Sequence, residues 1–391
     1  MTSINSSRIY LDYAATTPLR SEAADAMRLA LDEAAYNPSS LHAEGRRSRA
    51  VLDGARERVA RQLGVARQNV IFTGGGSEAD NLAILGSARA ASRRSGRRHV
   101  VTTAIEHHAV LHAVDALASE GFEVTVVPVN DKGLVDAAHF EAALRDDTAL
   151  ASVAYANNEI GTVQPIADFA FRAHRRGAIF HTDAVQAPLW LPTNAGDVGA
   201  DLVSLSGHKF FGPKGVGILA LNGAFALEPL VYGGGQEFGR RAGTENVAGI
   251  AAFATALELA AFERAEASAR VASLRDRLED GIRRAVADVR VNGAGADRIP
   301  NVLNVSFAGV DAQALLARLD LDGVAVSAGS ACTSGVLEPS HVIAALGIDP
   351  RWRNGAIRFS LGPPSTAAQI DRALEITVAA VADVRRIPTS A

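Results

Sequence analysis

The sequence ALASVAYANNEIGTVQPIADFAFRAHRRGAIFHT, residues 149–182, contains one complete strand–helix–strand unit. Its two ends, residues 149–155 and 179–182, are short apolar runs typical of strands that are buried on both faces. Between them, residues 166–176 carry apolar side chains at helical spacing. Since a connection of this length can join two parallel strands, the stretch predicts part of a parallel sheet.

The same alternation extends from residue 68 to residue 221. Further strands are predicted over residues 69–73, 99–103, 123–128, 202–206 and 216–220. Further helices are predicted over residues 78–94, 109–119 and 137–145. The pattern therefore predicts an α/β protein whose large domain holds a mostly parallel seven-stranded sheet with helices on both faces.

The chain on either side of this block has a different pattern. Before it lie a predicted strand, residues 9–12, and two helices, the second of which spans residues 46–63 and is ended by Gly64. A long helical stretch, residues 247–286, follows the block and leads to strands at 289–292, 301–307 and 356–360 and helices near 311–318, 340–346 and 366–385. We therefore expect a large domain over residues 15–260 and a smaller α+β domain formed by residues 1–14 and 261–391.

The composition excludes several classes of protein. The chain of 391 residues has 39 Lys and Arg against 43 Asp and Glu, and this net charge of -4 argues against a dedicated nucleic-acid binder. No apolar run reaches the roughly 18 residues that a membrane span needs, and the polar start MTSINSSRIY is not typical of a signal peptide. We expect a soluble, cytoplasmic enzyme with no nucleic-acid or membrane partner.

Two residue types are scarce. The chain has 1 cysteine, Cys332, which excludes an intramolecular disulfide and a multi-cysteine metal site, so no metal is expected. Among the 39 basic residues only Lys132, Lys209 and Lys214 are lysines. Codon usage in a GC-rich genome explains the excess of arginine. A lysine or a cysteine that persists in such a sequence is nevertheless a candidate for chemistry.

A glycine-rich segment, TGGGSE at residues 73–78, follows a predicted strand and begins a helix. Glycines let the backbone approach an anion, Ser77 can donate a hydrogen bond, and the helix start supplies unpaired N–H groups. The segment therefore predicts a phosphate site, although it matches neither the Walker sequence nor the dinucleotide-binding pattern. The alternative is an ordinary tight turn in which Ser77 caps the helix and Asp80 completes a capping box.

Polar loops follow two later strands. Asp183 comes directly after residues 179–182, and Lys209 lies in the loop SGHKFFGPKG, residues 206–215. Because open α/β sheets bind ligands at the carboxyl ends of their strands, we expect both side chains beside the phosphate site. An enzyme that uses pyridoxal 5'-phosphate (PLP) needs a lysine that joins the cofactor and an acid beside the pyridine nitrogen. The alternatives are a helix cap for Asp183 and a surface charge for Lys209.

Seven motifs occur in one order along the chain: YLDYAATTP (10–18), IEHH (105–108), NNEIG (157–161), SGHKFFGPKG (206–215), RAGT (241–244), SACTS (330–334) and RFSLG (358–362). Together they resemble the cysteine desulfurases of iron–sulfur cluster assembly. That group belongs to the class V aminotransferases and has the type I fold of PLP-dependent transferases. The resemblance extends over about residues 9–385.

The resemblance implies roles for individual residues. Lys209, Cys332 and His107 would be catalytic, with Lys209 joined to PLP, Cys332 accepting the sulfur, and His107 stacking on the ring and assisting proton transfer. Asn158 and Arg358 would bind the substrate, with Arg358 holding its carboxylate. The residues that would bind the cofactor are Gly76, Ser77, Asn158, Asp183, Gln186, Ser206, His208, Lys209 and, from the second subunit of a homodimer, Thr244.

The activity that the resemblance implies is conversion of L-cysteine to L-alanine, with a persulfide left on Cys332. The sulfur would pass to an acceptor such as an iron–sulfur scaffold protein or a tRNA-thiolation enzyme. A selenocysteine lyase or a cysteine sulfinate desulfinase on the same scaffold is the nearest alternative. An aminotransferase is a further alternative, and so is a non-catalytic α/β module that binds a nucleotide through residues 74–77.

Overall fold

The computed structural model describes residues 8–328 and 340–386. The strands of these residues are β1 (Ile9–Tyr10), β2 (Val70–Thr73), β3 (His99–Thr103), β4 (Glu123–Val127), β5 (Thr148–Ser152), β6 (Ile179–Asp183), β7 (Leu202–Ser206), β8 (Gly217–Leu221), β9 (Val289–Asn292), β10 (Val302–Phe307), β11 (Val324–Ala325) and β12 (Ala356–Ser360).

The α-helices of the same residues are α1 (Ser21–Glu33), α2 (Ala43–Leu63), α3 (Gly76–Asn81), α4 (Ser87–Ser95), α5 (His108–Ser119), α6 (Ala137–Ala143), α7 (Ile166–Arg175), α8 (Ala195–Val198), α9 (Val247–Ala285), α10 (Ala312–Leu321), α11 (His341–Ala345) and α12 (Ala367–Val384). A π-helical turn, Leu82–Gly86, joins α3 to α4 without a break. The structure therefore confirms the predicted helix at 78–94 as one continuous helix with a π turn in its middle.

The predicted seven-stranded sheet is confirmed. Its strands pair in the order β2-β8-β7-β6-β5-β3-β4. All neighbours are parallel except that β8 runs antiparallel to both β2 and β7. The reason is the short connection between β7 and β8, which contains no crossover helix and so cannot return the chain for a parallel pairing.

Two smaller sheets complete the described chain. Strands β12, β10 and β9 form an antiparallel sheet, and β1 pairs in parallel with β11. The pairing of Ile9 with Val324 joins the beginning of the chain to its last third. This contact supports the predicted division into two domains, which we retain as a proposal. Strand β11 and helix α8 were not predicted, because runs of two and four residues are too short to show a period.

The helix ends follow from local chemistry. Helix α2 ends at Gly64, whose φ of 66° lies in the left-handed region that glycine adopts without strain, as predicted. Helix α9 is 39 residues long and packs against α1, α2 and α12. Its first eleven residues, 247–257, are almost all buried, so this end of the helix is part of the core. Within the described ranges, no helix combines the length and the apolar composition that a membrane crossing requires.

Candidate active site

One cavity of about 290 Å³ lies at the carboxyl ends of the parallel strands. This is the edge of the sheet at which the sequence predicts a ligand. The fold brings together residues that are far apart in the chain. The predicted site residues that line the cavity are Gly76, Ser77, His107, Asn158, Asp183, Gln186, Ser206, His208, Lys209 and Arg358.

The glycine turn adopts the form expected of an anion cradle. The helix begins at Gly76, and no side chain caps it, so the capping-box alternative for Ser77 and Asp80 is wrong. A Cβ atom on Gly76 would lie 2.9 Å from Cγ2 of Val185 and 3.2 Å from Cβ of Ser206. The glycine therefore lets the helix start approach the ends of two strands closely. No side chain caps the N–H groups at the helix start, so they can bind an anion.

Lys209 ends a short 3-10 turn directly after β7. Its Nζ donates hydrogen bonds to the carbonyl oxygens of Ala14, at 2.7 Å, and Ala15, at 2.8 Å. The amide of Gln186 also donates to the carbonyl of Ala14, at 3.0 Å. The surface-charge alternative for Lys209 is therefore wrong, because its amine lies in the cavity wall and is positioned by the N-terminal segment.

Asp183 is the last residue of β6, and its Oδ1 accepts a hydrogen bond from the amide of Val185 at 2.9 Å. No helix in the described residues begins there, so the helix-cap alternative is wrong. Burial raises the pKa of Asp183, whereas a proton on His107, the hydrogen bond from the Val185 amide and the charge of Lys209 act in the opposite direction. The carboxyl group of Asp183 is thus buried near the imidazole of His107 and the amine of Lys209.

A second buried carboxyl group, that of Asp80, lines the same cavity. Burial and then the charge of Asp183 raise its pKa well above the usual value. Its Oδ1 lies 3.7 Å from Nε2 of His181, a buried ring that stays neutral because burial lowers its pKa to about 3. Asp183 differs in facing the amine of Lys209, which favours the charged form of its carboxyl group, whereas the charged neighbours of Asp80 are carboxylates that favour its protonated form.

His107 has two functions in the local structure. It lines the cavity, and its Nδ1 accepts a hydrogen bond from the amide of Ala109 at the start of α5. Because Nδ1 accepts this bond, the ring proton of the neutral imidazole is on Nε2. Burial lowers the pKa of His107, so the ring is neutral near pH 7. His107 therefore both caps α5 and lines the cavity.

Arg358 lies in β12 and is 1% exposed. Its Nη2 donates to Oδ1 of Asp12 at 2.7 Å, and its Nη1 donates to the backbone carbonyl of Asn158 at 3.0 Å. The Nε atom is buried and has no partner among the residues that the structure describes. The guanidinium is therefore held in one orientation while a donor is left for an anionic ligand.

The segment that contains Cys332 lies outside the described residues, but its two flanks are described. Before it, Ser327 and Arg358 exchange backbone hydrogen bonds of 3.1 and 2.6 Å. After it, the hydroxyl of Ser340 donates to Oε2 of Glu159 at 2.5 Å. Next in the chain, His341 lines the cavity. Both flanks of residues 329–339 therefore lie at the cavity wall.

Thr244 is not among the residues of this cavity. It is exposed and lines a separate cavity of about 190 Å³ with Gly74, Gly215 and Arg241. The predicted contact of Thr244 with the cofactor of a second subunit therefore stays a prediction. Arg241 next to it forms an ion pair with Glu78, and Oε2 of Glu78 also accepts a hydrogen bond from the amide of Gly74 at 2.6 Å. The loop of Thr244 is thus tied to the phosphate turn.

Sequence reasoning missed four residues of the site: Asp12, Asp80, Glu159 and His341. Asp12 and Glu159 lie inside the quoted motifs, but the motifs did not indicate what these two residues do. Asp80 follows Gly76 by four residues, so helical spacing places it on the same face as the phosphate turn. No sequence signal locates His341, since its approach to the cavity depends on how α11 packs.

A lysine amine, a buried carboxylate and a glycine-rich helix start around one cavity on a mostly parallel sheet define a PLP-dependent transferase of the type I fold. The family model of aminotransferase class V matches residues 9–373, and the chain belongs to that family. Members of this family carry PLP.

Curated relatives match over nearly the whole chain. "Cysteine desulfurase IscS" of Dictyoglomus turgidum is 44% identical over 379 residues, which cover 97% of this chain and 96% of that protein. "IscS-like cysteine desulfurase" of Mycobacterium tuberculosis is 45% identical over 389 residues, 98% of either chain. Among solved structures, a "NifS-like protein" superposes with a TM-score of 0.89 at 34% identity and covers 96% of this chain and 100% of its own.

The described residues fit PLP. A Cβ atom would narrow the cradle at Gly76, so the close approach of backbone that a phosphate requires is present. The Lys209 amine, the buried Asp183 carboxylate and the imidazole of His107 line the same cavity. The amine can join the aldehyde of PLP, the carboxylate can pair with its pyridine nitrogen, and the imidazole can stack on its ring. The chemistry of these side chains therefore agrees with the cofactor of the family.

Proposed function

We propose that the chain is a PLP-dependent cysteine desulfurase that converts L-cysteine to L-alanine and leaves a persulfide on Cys332. The observation that carries the proposal is the convergence of Lys209, Asp183 and Arg358 on one cavity whose wall also holds both flanks of the Cys332 segment. The relatives named as cysteine desulfurases support the same activity.

Different residues would hold different parts of the cofactor. Gly76 and Ser77 at the helix start, with Ser206 and His208, would hold the phosphate. Lys209 would form the covalent link, and Asp183 would keep the ring nitrogen protonated. The remaining contacts are His107 against the ring, and Gln186 and Asn158 at its edge. When bound, PLP withdraws electrons from the substrate's α-carbon and so makes its neighbouring bonds reactive.

Arg358 is the proposed site for the substrate carboxylate. Its buried Nε has no partner in the described residues, while Asp12 and the carbonyl of Asn158 prevent the guanidinium from turning. An α-carboxylate that pairs with this group would accept a hydrogen bond from the unpartnered Nε and orient the substrate. The side chain of the substrate would then extend away from β12 into the cavity.

Lys209 and His107 are the proposed proton carriers. The lysine amine lies in the cavity wall, where it would take a proton from the α-carbon of the substrate. The carbonyls of Ala14 and Ala15 that bind Nζ would receive the protonated amine. His107 is neutral with its proton on Nε2, so it can donate a proton there and recover one from solvent.

Cys332 is the proposed nucleophile. It follows Ala328, the last described residue before the segment, by four positions, and four residues span at most about 14 Å. Ser327 is bonded to Arg358 in the wall, so this length is enough to reach the cavity. The thiolate would attack the substrate sulfur, and the bond from that sulfur to Cβ would break with its electron pair left on carbon. The net result is L-cysteine plus a thiol giving L-alanine plus a persulfide.

We propose that the enzyme is a cytoplasmic homodimer in which the exposed Thr244 reaches the phosphate of the other subunit. The persulfide sulfur would pass to an acceptor protein, such as an iron–sulfur scaffold protein or a tRNA-thiolation enzyme. Iron–sulfur cluster assembly is the proposed destination, as the resemblance to that group of desulfurases implies.

The proposed function is tested by incubating the purified holoenzyme with L-cysteine and measuring alanine and sulfide. We expect both products from the wild type, and neither from Cys332→Ala or Lys209→Ala. Full activity of Cys332→Ala would instead support the selenocysteine lyase or cysteine sulfinate desulfinase alternative. Transfer of the amino group to a 2-oxo acid would identify an aminotransferase, and a colourless protein that takes up no PLP would identify a non-catalytic module.

A further inference from the structure

Three histidines that the proposed mechanism does not use lie close together beside the cavity. The ring centroids of His108 and His341 are 4.5 Å apart, and those of His108 and His112 are 5.3 Å apart. His108 and His341 line the cavity, whereas His112 is exposed and does not. The group therefore extends from the cavity wall to the surface of α5.

The hydrogen bond of His341 determines which of its ring nitrogens carries the proton. Nε2 lies 2.9 Å from the backbone carbonyl oxygen of Glu106. A carbonyl oxygen only accepts, so Nε2 carries the proton and the lone pair of the neutral ring is on Nδ1. Nδ1 is buried and has no hydrogen-bond partner among the described residues. A buried acceptor left without a donor in the wall of a cavity requires a functional explanation.

The position of His341 is held from two sides. Its neighbour Ser340 donates to the carboxyl group of Glu159, and His341 itself donates to the carbonyl next to His107. Both contacts connect the start of α11 to loops that line the cavity. The imidazole is therefore positioned by the same walls as the proposed catalytic groups, and it directly follows the flank of the segment that contains Cys332.

We propose that His341 is the base of this cavity that accepts a thiol proton through Nδ1. The inference rests on the proposed function, in which a thiol must lose its proton before its sulfur forms a new bond. If the thiol is that of Cys332, its proton passes to Nδ1 and the S–H electron pair forms the new S–S bond. If it is the thiol of the substrate, its proton passes to Nδ1, the S–H pair stays on the substrate sulfur as the outer sulfur of a persulfide anion, and the Cys332 thiolate supplies the pair of the S–S bond. The substrate's C–S bond breaks with its pair left on carbon, and the imidazolium of His341 then holds the proton that the methyl group of L-alanine requires.

The charges around His341 agree with this role. Burial lowers the pKa of His341, so the ring is neutral and able to accept a proton near pH 7. Burial raises the pKa of Glu106 to about 8, so this carboxyl group adds little negative charge at pH 7, and burial also raises the pKa of Glu159. The titratable and charged groups that face His341 are Glu106 from the loop before α5, His107, His108 and His112 from the start of α5, Glu159 next to Ser340, Arg358 from β12, and Asp183 and Lys209 across the cavity.

The test uses His341→Gln. The amide nitrogen of glutamine can keep the donor to Glu106, but an amide cannot accept a proton. His112→Gln is the control, because His112 belongs to the same group but lies outside the cavity. The holoenzymes are first compared by their melting temperature and their visible cofactor absorption, which we expect to agree within error. This comparison shows that the variant folds and binds PLP.

Two rates then show whether the proton comes from the thiol of Cys332 or from the thiol of the substrate. Because Cys332 is the single cysteine, alkylation by iodoacetamide reports on one thiol of the protein. Alanine formation from L-cysteine reports on the whole reaction. We expect His341→Gln to form alanine about 100-fold more slowly at pH 7, with the acid limb of the wild-type pH profile lost. His112→Gln should match the wild type.

Each result has one interpretation. If alkylation of Cys332 in His341→Gln also slows by about tenfold, the proton comes from the enzyme thiol. If only alanine formation slows, the proton comes from the thiol of the substrate. An unchanged rate of alanine formation overturns the inference about His341. A wild-type enzyme that forms no alanine at all refutes the proposed function instead, so the two failures are distinguishable.

Discussion

At the scale of single residues, the main feature of the cavity is that its buried carboxyl groups have different charged neighbours. Burial raises the pKa of Asp183, Asp80 and Glu106, but Asp183 faces the amine of Lys209, whereas Asp80 and Glu106 lie near the carboxylate of Asp183, which raises their pKa further. The sequence shows acids after strands, but it does not show which acid is ionised. That distinction depends on distances between residues far apart in the chain.

Asp12 should influence substrate binding through Arg358. The carboxylate accepts from Nη2 at 2.7 Å, and Asp12→Asn removes the charge that holds this guanidinium. We expect the KM for L-cysteine to rise about tenfold with a smaller change in kcat, since the loss of one charge-assisted hydrogen bond affects ground and transition states alike. Asp320→Asn, which alters the exposed ion pair of Arg8, is the control. An unchanged KM in Asp12→Asn would contradict this role.

Glu106 should make stability depend on pH. Burial raises its pKa from 4.5 to about 8, so the folded protein keeps a proton that the unfolded chain loses. The resulting stabilisation is complete below pH 4.5 and is lost as the pH rises through 8. We expect urea unfolding between about pH 5 and pH 8 to show a smaller loss of stability in Glu106→Gln than in the wild type. Equal losses in the two proteins would show that Glu106 ionises normally.

At the scale of secondary-structure elements, the site residues lie at the ends of strands and in short loops. The seven strands of the large sheet were predictable from apolar runs and intervening helices, and so was the edge at which Asp183 and Lys209 appear. The antiparallel β8 follows from a short loop, but the pairing of β1 with β11 joins residues 9 and 324 and has no local signal. Periodicity reports on neighbours in sequence, so contacts of this kind have to come from the structure.

A buried ion pair connects α2 to the loop before Thr244. Arg56 binds both carboxylate oxygens of Glu237 at 2.7 Å, and Oε2 of Glu237 also accepts from the amide of Phe72 in β2. Glu237 has a φ of 47°, and the next residue has one of 58°, so this pair holds two side-chain-bearing residues in the left-handed region. The loop is therefore fixed at some cost in backbone energy.

Glu237→Gln should lower the free energy of unfolding by about 3–5 kcal/mol, because it leaves the buried guanidinium of Arg56 without its counter-charge. Urea denaturation measures the change. Glu375→Gln, in the exposed pair with Arg372, should alter stability by less than about 1 kcal/mol. The double variant Arg56→Met with Glu237→Gln should lose less than Glu237→Gln alone. A single variant as stable as its exposed control would contradict this account.

At the scale of the whole molecule, the chain's N-terminal segment and its last hundred residues enclose a cavity that the central sheet provides. Ala14 and Ala15 bind Lys209, and Asp12 binds Arg358, so the start of the chain connects the two proposed domains. The motifs made these contributors recognisable in the sequence. Their common cavity, and the part of His341 in it, could not be predicted, because they depend on tertiary packing.

The proposed homodimer has a direct consequence for Thr244. We expect sedimentation equilibrium to give twice the mass of the 40.8 kDa chain, and Thr244→Ala to weaken PLP binding even though Thr244 lies outside its own chain's cavity. Ser95→Ala, which removes an exposed hydroxyl at the end of α4, is the control and should bind PLP as the wild type does. A monomer with normal PLP affinity in Thr244→Ala would refute the shared site.

The central claim is that sulfur from L-cysteine is transferred to Cys332. The most direct measurement is the mass of the holoenzyme after a single turnover with one equivalent of L-cysteine, with the modified peptide identified by fragmentation. We expect a gain of one sulfur atom per chain, located on Cys332 and removed by a reducing agent, together with one equivalent of L-alanine. Alanine formed without any gain of sulfur on the protein would contradict it.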